Sequence, residues 1–290
     1  MANTFNTGTY PQIWETFLQQ RLNRPTNWKE VCDVVYSNSK IFNWPYMSTE
    51  FTLQTGTRGT AYGFSDFTLT NDTLDISSTG IVPVFIDRAD LAQSSSLVTV
   101  QTIADRQGRL IAEKLESVVL STHASWTNIG DVGAGAIGLG ATPITVTIAN
   151  IDDIVRGVKR EIIKANGLDE MNARGVFFVW RPADFELLEA FLQQNGYNLA
   201  DATLRQGIMT EKGYYALGAY HYVSNSHTAG HVFAGVRKTM RLGILRDTYG
   251  KVVMTEDPSL QSGVGVVSRV DYGTQIPAGL ATILFDVNVA

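Results

Sequence analysis

Apolar residues recur at three- and four-residue steps in some stretches of the chain and at two-residue steps in others, which predicts a mixed α+β protein. Residues 1–9 are polar and unpatterned and read as an arm. Ile13, Trp14, Phe17 and Leu18 then share one face of a short helix, broken by Arg24-Pro25. A second helix is expected from about Asn27, with Trp28, Val31, Val34 and Val35 at helical spacing. From Asn43-Trp44-Pro45 to Pro83 the texture turns β-like, rich in Thr, Gly and aromatics. Residues 50–55 and 64–70 alternate, Gly56-Thr57-Arg58-Gly59 is a turn cluster, and Asn71-Asp72 is expected to turn the chain back. This stretch has few large aliphatics, so it cannot build its own core and has to lie on something else.

A helix entry follows at residues 87–94, where Asp and Ser side chains can accept hydrogen bonds from the unpaired amides of a first turn. The helix itself is expected over residues 96–122. Leu97, Val100, Ala104, Ile111, Leu115 and Val118 fall on one side of it. At 1.5 Å per residue that is a rod of roughly 40 Å. Residues 130–140 read as a glycine-rich linker and 143–148 as a strand. Asn150 is expected to cap an amphipathic helix carrying Ile151, Ile154, Val155, Val158 and Ile162 on one face, with Gly167 past its end. Residues 175–180 form a continuous apolar run, a fully buried strand. Arg181-Pro182-Ala183-Asp184 opens a further helix with Pro in its first turn, ending at Asn195-Gly196. Strands are expected at 214–223, 232–245, 251–255, 263–270 and 281–289.

Composition narrows the function classes. Hydrophobic residues make up 44% of the 290, enough for a sizeable core, while only 18% are charged, against roughly 25% in an average soluble domain. Threonine, 29 residues, covers part of the difference. Such a surface belongs either to a chain buried against neighbours or to a β-rich monomer. A net charge of −5 argues against a dedicated nucleic-acid reader, which carries a basic stripe. The single cysteine, Cys32, excludes an internal disulfide and a Cys-rich zinc site, and reads as a small buried hydrophobe. No apolar run approaches the ~18 residues of a membrane span. The N-terminus lacks the basic and apolar segments of a signal peptide, so synthesis in a reducing cytoplasm is expected.

Candidate chemistry is sparse. Gly133-Ala134-Gly135-Ala136-Ile137-Gly138 matches GxGxxG, but a dinucleotide site needs that motif between a strand and a helix N-terminus; here a β-branched strand is expected after it, so a linker is the better reading. His221, His227 and His231 are close in sequence, and the last two have the spacing of helical metal ligands. Ser224-Asn225-Ser226 and Gly230 make that segment a loop, so no metal is expected. Asp152-Asp153 sits in a helix's first turn, where acids favour the dipole. With no nucleophile elbow and no Walker loop, neither an enzyme nor a cofactor is expected. Arg106, Arg109 and Lys114 dot the long helix as a solvated face or, alternatively, as a weak contact for packaged phosphate.

The order of parts resembles the major capsid proteins of tailed bacteriophages, of the Hong Kong 97 type. The local likeness runs through residues 67–74, 84–87 and 90–94, where such proteins pass from an extended loop into a spine helix. Residues 211–224 are similar to the strand-turn segment of their axial domain, and 276–289 to their closing strand. The resemblance implies an α+β capsid fold. Residues 1–45 would be an N-terminal arm and helices, 46–86 an extended β-hairpin loop, and 87–130 a peripheral domain with the spine helix. Residues 131–255 would be an α/β axial domain and 256–290 the return strands to the peripheral domain. It further implies self-assembly into hexamers and pentamers of an icosahedral shell around double-stranded DNA, inside a virion made in a bacterial cytoplasm, with no membrane. Portal, scaffolding and decoration proteins would be partners. The loop residues expected to touch a neighbouring subunit are Phe51, Leu53, Arg58, Tyr62, Phe64 and Phe67. Some relatives lock their shells with isopeptide bonds from a loop lysine. No lysine lies between Lys40 and Lys114, and the guanidinium of Arg58 stays protonated, so a non-covalent shell is expected. Two rivals remain: an encapsulin-type protein compartment of the same fold, and a monomeric binding module using the hairpin as a recognition loop.

Overall fold

The computed structural model describes residues 9–22, 27–47, 68–87, 96–133, 135–194, 214–226, 228–255 and 263–290, with isolated positions 55, 56, 58, 59, 63 and 66. Two short helices, α1 (Thr9–Leu22) and α2 (Asn27–Val31), precede β1 (Asp33–Ser37), β2 (Ile41–Met47), β3 (Leu69–Asp75) and β4 (Ser78–Asp87). The long helix α3 (Ser96–Ser121) ends in a 3-10 turn (Thr122–Ser125). Then come β5 (Thr127–Asp131), β6 (Ile137–Leu139), α4 (Ile151–Lys164), α5 (Leu168–Arg174), β7 (Val176–Trp180) and α6 (Pro182–Gln194). The chain finishes with β8 (Tyr214–Ala216), β9 (Ala219–Val223), β10 (His231–Val236), β11 (Arg241–Leu245), β12 (Lys251–Thr255), β13 (Gly263–Gln275) and β14 (Leu284–Asn288).

These strands make three sheets. A seven-stranded mixed sheet runs β6-β5-β14-β10-β7-β9-β8. A five-stranded sheet is built on β13, which pairs antiparallel with β4 from Gly263 to Tyr272 and also with β11 and β12, while β1 lies parallel to β11. The third is a two-stranded ribbon of β2 and β3, in register from Ile41 opposite Asp75 to Met47 opposite Leu69.

The seven-stranded sheet separates two apolar cores. Side chains alternate across a strand, so β7 sends Val176, Phe178 and Trp180 to one side and Phe177 and Val179 to the other, all fully buried. On the first side they meet the apolar stripe of α4, with Ile151, Ile154, Val155, Val158 and Ile162 all inaccessible. On the second side they join α1, α2, α3 and the five-stranded sheet.

The long helix is continuous, as its periodicity predicts. Ala104, Ile111 and Leu115 are buried and Val118 packs half-buried on the same core; the side chains of Leu97 and Val100 lie outside the described ones. A buried amide locks the helix in place. Gln107 Oε1 accepts from Trp14 Nε1 at 2.8 Å and from Ser268 Oγ at 2.9 Å, and Gln107 Nε2 donates to the Val82 carbonyl at 3.1 Å. One side chain thus ties α3 to α1, β4 and β13. Leu115→Ala is expected to cost about 2–5 kcal/mol, the range for emptying a buried leucine site. Thermal unfolding of the variant checks this, and an unchanged midpoint would put the stripe at a surface.

Several expectations from the sequence are corrected. Val34 and Val35 belong to β1, not to a helix, because the helix stops at Val31 and the β1 backbone finds its partners in β11. Asn71-Asp72 is no turn but the middle of β3, opposite Pro45 and Trp44; the chain runs on through Ile76-Ser77 into β4, and the reversal lies between β2 and β3. Residues 130–140 are not a bare linker. They form the β5–β6 hairpin, whose loop uses Gly133 (φ 121°) and Gly135 (φ 78°), backbone angles that glycine adopts without a steric cost. The stretch 143–148 makes only an isolated bridge, Ile144 to Val289. Asn150 does not cap α4 with its side chain, which accepts from the Thr147 amide and donates to the Thr145 carbonyl. The segments 214–223 and 232–245 each hold two strands, and β10 and β11 belong to different sheets. β11 and β12 pair into the five-stranded sheet, and β14 sits within the seven-stranded one. The helix entry at 88–94, the arm at 1–8 and the helix end at Asn195-Gly196 lie outside the described residues.

Candidate functional site

The most extensive feature that asks for a partner is apolar surface on thin structure. In β4 the residues Val82, Val84 and Ile86 pack toward the core, so the alternate residues Ile81 and Phe85 face out, 57% and 50% exposed. Val253 of β12 is 61% exposed. The β2–β3 ribbon adds Ile41, Phe42 and Leu69, all exposed. The ribbon is held at its middle, where Arg241 lies 4.1 Å over the Trp44 ring and the Ala278 amide donates to Asp72, and at its base. Leu74 and Ile76 are buried, and their side chains reach to within 2.6 and 3.1 Å of where a Cβ would stand on Gly243. Of the loop residues singled out above, Arg58 is described and exposed, whereas Phe51, Leu53, Tyr62, Phe64 and Phe67 lie outside the described residues.

The basic side chains of the long helix sit on its exposed side. Arg106, Arg109 and Lys114 are exposed, but acids are interleaved with them. Arg109 Nε pairs with Glu113 at 2.7 Å, and Asp105 lies 3.7 Å from Arg21. Such a face is close to neutral.

The glycine motif opens β6, not a helix, and so lacks the amide-rich N-terminus that holds a pyrophosphate. A shallow cleft of about 490 Å³ lies beside Gly135, Ala136 and Ile137, and its two arginines are engaged. Arg156 pairs with Asp152 and Asp153, while Arg160 pairs with Glu161 and the Ile137 carbonyl.

The histidines divide. His221 is inaccessible in the α4-side core, stacked on Phe178. It accepts from Trp180 Nε1 at 2.9 Å through Nδ1, and its Nε2–H donates to the Ala216 carbonyl at 3.0 Å. Burial pushes its pKa down to about 4 from 6.5, so it stays neutral at ordinary pH. Below pH 6.5 the unfolded chain takes up a proton that the folded chain refuses until about pH 4. Stability therefore falls across that window, by roughly 3 kcal/mol at its lower end. His221→Gln is expected to flatten that part of the loss between pH 6.5 and 4.5. Equal slopes for the two proteins in thermal unfolding would assign the acid sensitivity elsewhere.

His231 faces the other core and meets residues that sequence spacing did not join to it. His231 Nδ1 lies 2.8 Å from one oxygen of Asp286, and His123 Nδ1 lies 2.9 Å from the other. His123 comes from the 3-10 turn after the long helix, and Asp286 from β14. His227 is outside the described residues. His123 and Asp286 carried no local signal, being 163 residues apart.

No protein-family model and no curated protein matches the sequence. Solved structures do match in shape. A structure from Mycobacterium phage Che8 superposes with a TM-score of 0.60 at 17% identity, covering 86% of this chain and 85% of its own. The capsid of Ralstonia phage GP4 gives 0.60 at 8%, covering 89% and 87%. The virus-like particle from Pyrococcus furiosus gives 0.56 at 10%, covering 96% and 99%. The chain therefore has, in its overall course, the Hong Kong 97-type fold of tailed-phage major capsid proteins.

Proposed function

We propose that this chain is the major capsid protein of a tailed phage, assembling hexamers and pentamers into an icosahedral shell around double-stranded DNA. The carrying observation is the likeness in fold to phage capsid structures over 86–89% of the chain. The exposed apolar surface supports the same reading. Interfaces of obligate assemblies are large and relatively apolar, and Ile81, Phe85 and Val253 offer such a face. In this reading α3 and the five-stranded sheet form the peripheral domain. The seven-stranded sheet with α4, α5 and α6 forms the axial domain. The ribbon of β2 and β3, with residues 48–68, is the extended loop that lies across a neighbour. Contact with DNA, if made by α3, is non-specific and weak, because Arg109 is already paired with Glu113. Portal, scaffolding and decoration proteins are the further partners, and the virion is the location.

A second reading has its own observation. The Pyrococcus furiosus particle matches across almost the full length of both chains, which fits a protein compartment of the same fold. Electron microscopy of the purified protein, with nucleic-acid analysis of the particles, decides. Closed shells filled with DNA support the capsid, and shells holding protein cargo support the compartment. A particle-free protein eluting near 31.8 kDa sinks both. On a denaturing gel the shells should run as a single subunit band.

A further inference from the structure

We propose that His123, His231 and Asp286 form a binding site for a divalent transition-metal ion of the zinc type. Two imidazole nitrogens and one carboxylate are a donor set that such ions favour, and three protein ligands leave a fourth position for water. The donors converge: the Nδ1 atoms approach the two oxygens of one carboxylate at 2.9 and 2.8 Å. All the ligating atoms lie within 4.8 Å of one another, against the roughly 4 Å that two bonds of about 2 Å can span. Small rotations of the two rings close the difference.

The surroundings suit an ion as well. Asp286 is nearly buried, its side chain 4% exposed, while His123 and His231 are 16% and 25% exposed and give a path from solvent. His123 stacks on Phe233 at 4.9 Å, which holds its ring in plane. Binding replaces the two N–H···O bonds by two N–metal bonds and one O–metal bond. A metal-bound imidazole presents a bare Nδ1, with its ring proton on Nε2. The carboxylate cancels one of the two positive charges. Because the ligands come from the end of α3, from β10 and from β14, the ion would cross-link the long helix to the middle of the seven-stranded sheet.

The test titrates Co2+ into the full-length protein after dialysis against a chelator, following ligand-field absorption, and then adds Zn2+ in competition. One saturable Co2+ per chain, displaced by Zn2+, with a raised unfolding temperature, is the expected result. His123→Gln and His231→Gln, each checked for fold by circular dichroism, should weaken binding by more than the roughly 100-fold that loss of a ligand's supporting hydrogen bond costs. His221→Gln, in the core on the other side of the sheet, should bind as the parent does. Absence of saturable absorption overturns the proposal, as does unchanged affinity in the two variants. A cluster that is stabilised by acidification alone and takes no Co2+ is a proton-held clamp, which also overturns it.

Discussion

Deleting residues 57–68 is expected to give a folded subunit that forms no shells at all. The β2–β3 ribbon closes on its own from Ile41–Asp75 to Met47–Leu69, so its stem survives a cut beyond Met47 and before Leu69. Nine residues, 48–56, remain to connect the strands, ample for a hairpin connection. The core contribution of this region sits at the base, in Leu74 and Ile76, and is untouched. What is lost is a stretch poor in large aliphatics that the proposed function lays on a neighbour. Size-exclusion chromatography and electron microscopy read the outcome. Normal shells from the deleted chain would show that the ribbon is dispensable for assembly and would remove its assigned role.

Gly273→Ala should cost about 3 kcal/mol, the upper end of ordinary overpacking, and lower the unfolding midpoint by roughly 5 °C. A Cβ at Gly273 would stand 1.9 Å from the carbonyl oxygen of Asp75 and 2.8 Å from its carbon. Both are backbone atoms, so no rotamer change relieves the clash and β3 has to lift from the five-stranded sheet. The ribbon would then leave its seat, so assembly is expected to fail together with stability. Gly140→Ala is the control, because its nearest neighbour is the tip of exposed Val132 at 3.3 Å. A Gly273 variant as stable as the control would mean that the ribbon base does not rest on β13.

Elements whose cause is local were legible in the sequence. The long helix was found to within a residue at its end, because its apolar positions repeat over many turns. The same holds for α4, and for β7 with α6, where a wholly apolar run is followed by Pro182. Elements whose cause is distant were not. Val34 and Val35 continue the helical spacing of Trp28 and Val31, and only the pairing of β1 with β11, some 200 residues on, makes them a strand. Glycine density at 130–140 suggested slack, yet Gly133 and Gly135 serve a tight turn. Alternation suggested strands at 50–55 and 64–70, which lie mostly outside the described residues; among the described ones 41–47 pair with 69–75. The cluster at Asp286 joins residues 55 and 163 positions apart, and no spacing rule reaches that far. His221 and His231, only ten positions apart, lie on opposite faces of one sheet.

The amide of Gln107 sets how the subunit can deform. Sliding α3 along its axis by one turn would strand the Trp14 indole, the Ser268 hydroxyl and the Val82 carbonyl without partners in a dry interior, at a penalty of about 1–3 kcal/mol for each orphaned group. Translation is therefore blocked. The helix is riveted near the middle of its length and seated by buried Ile111 and Leu115 in its second half. In the proposed shell, a change in subunit curvature is expected to tilt the helix about that point, not to slide it.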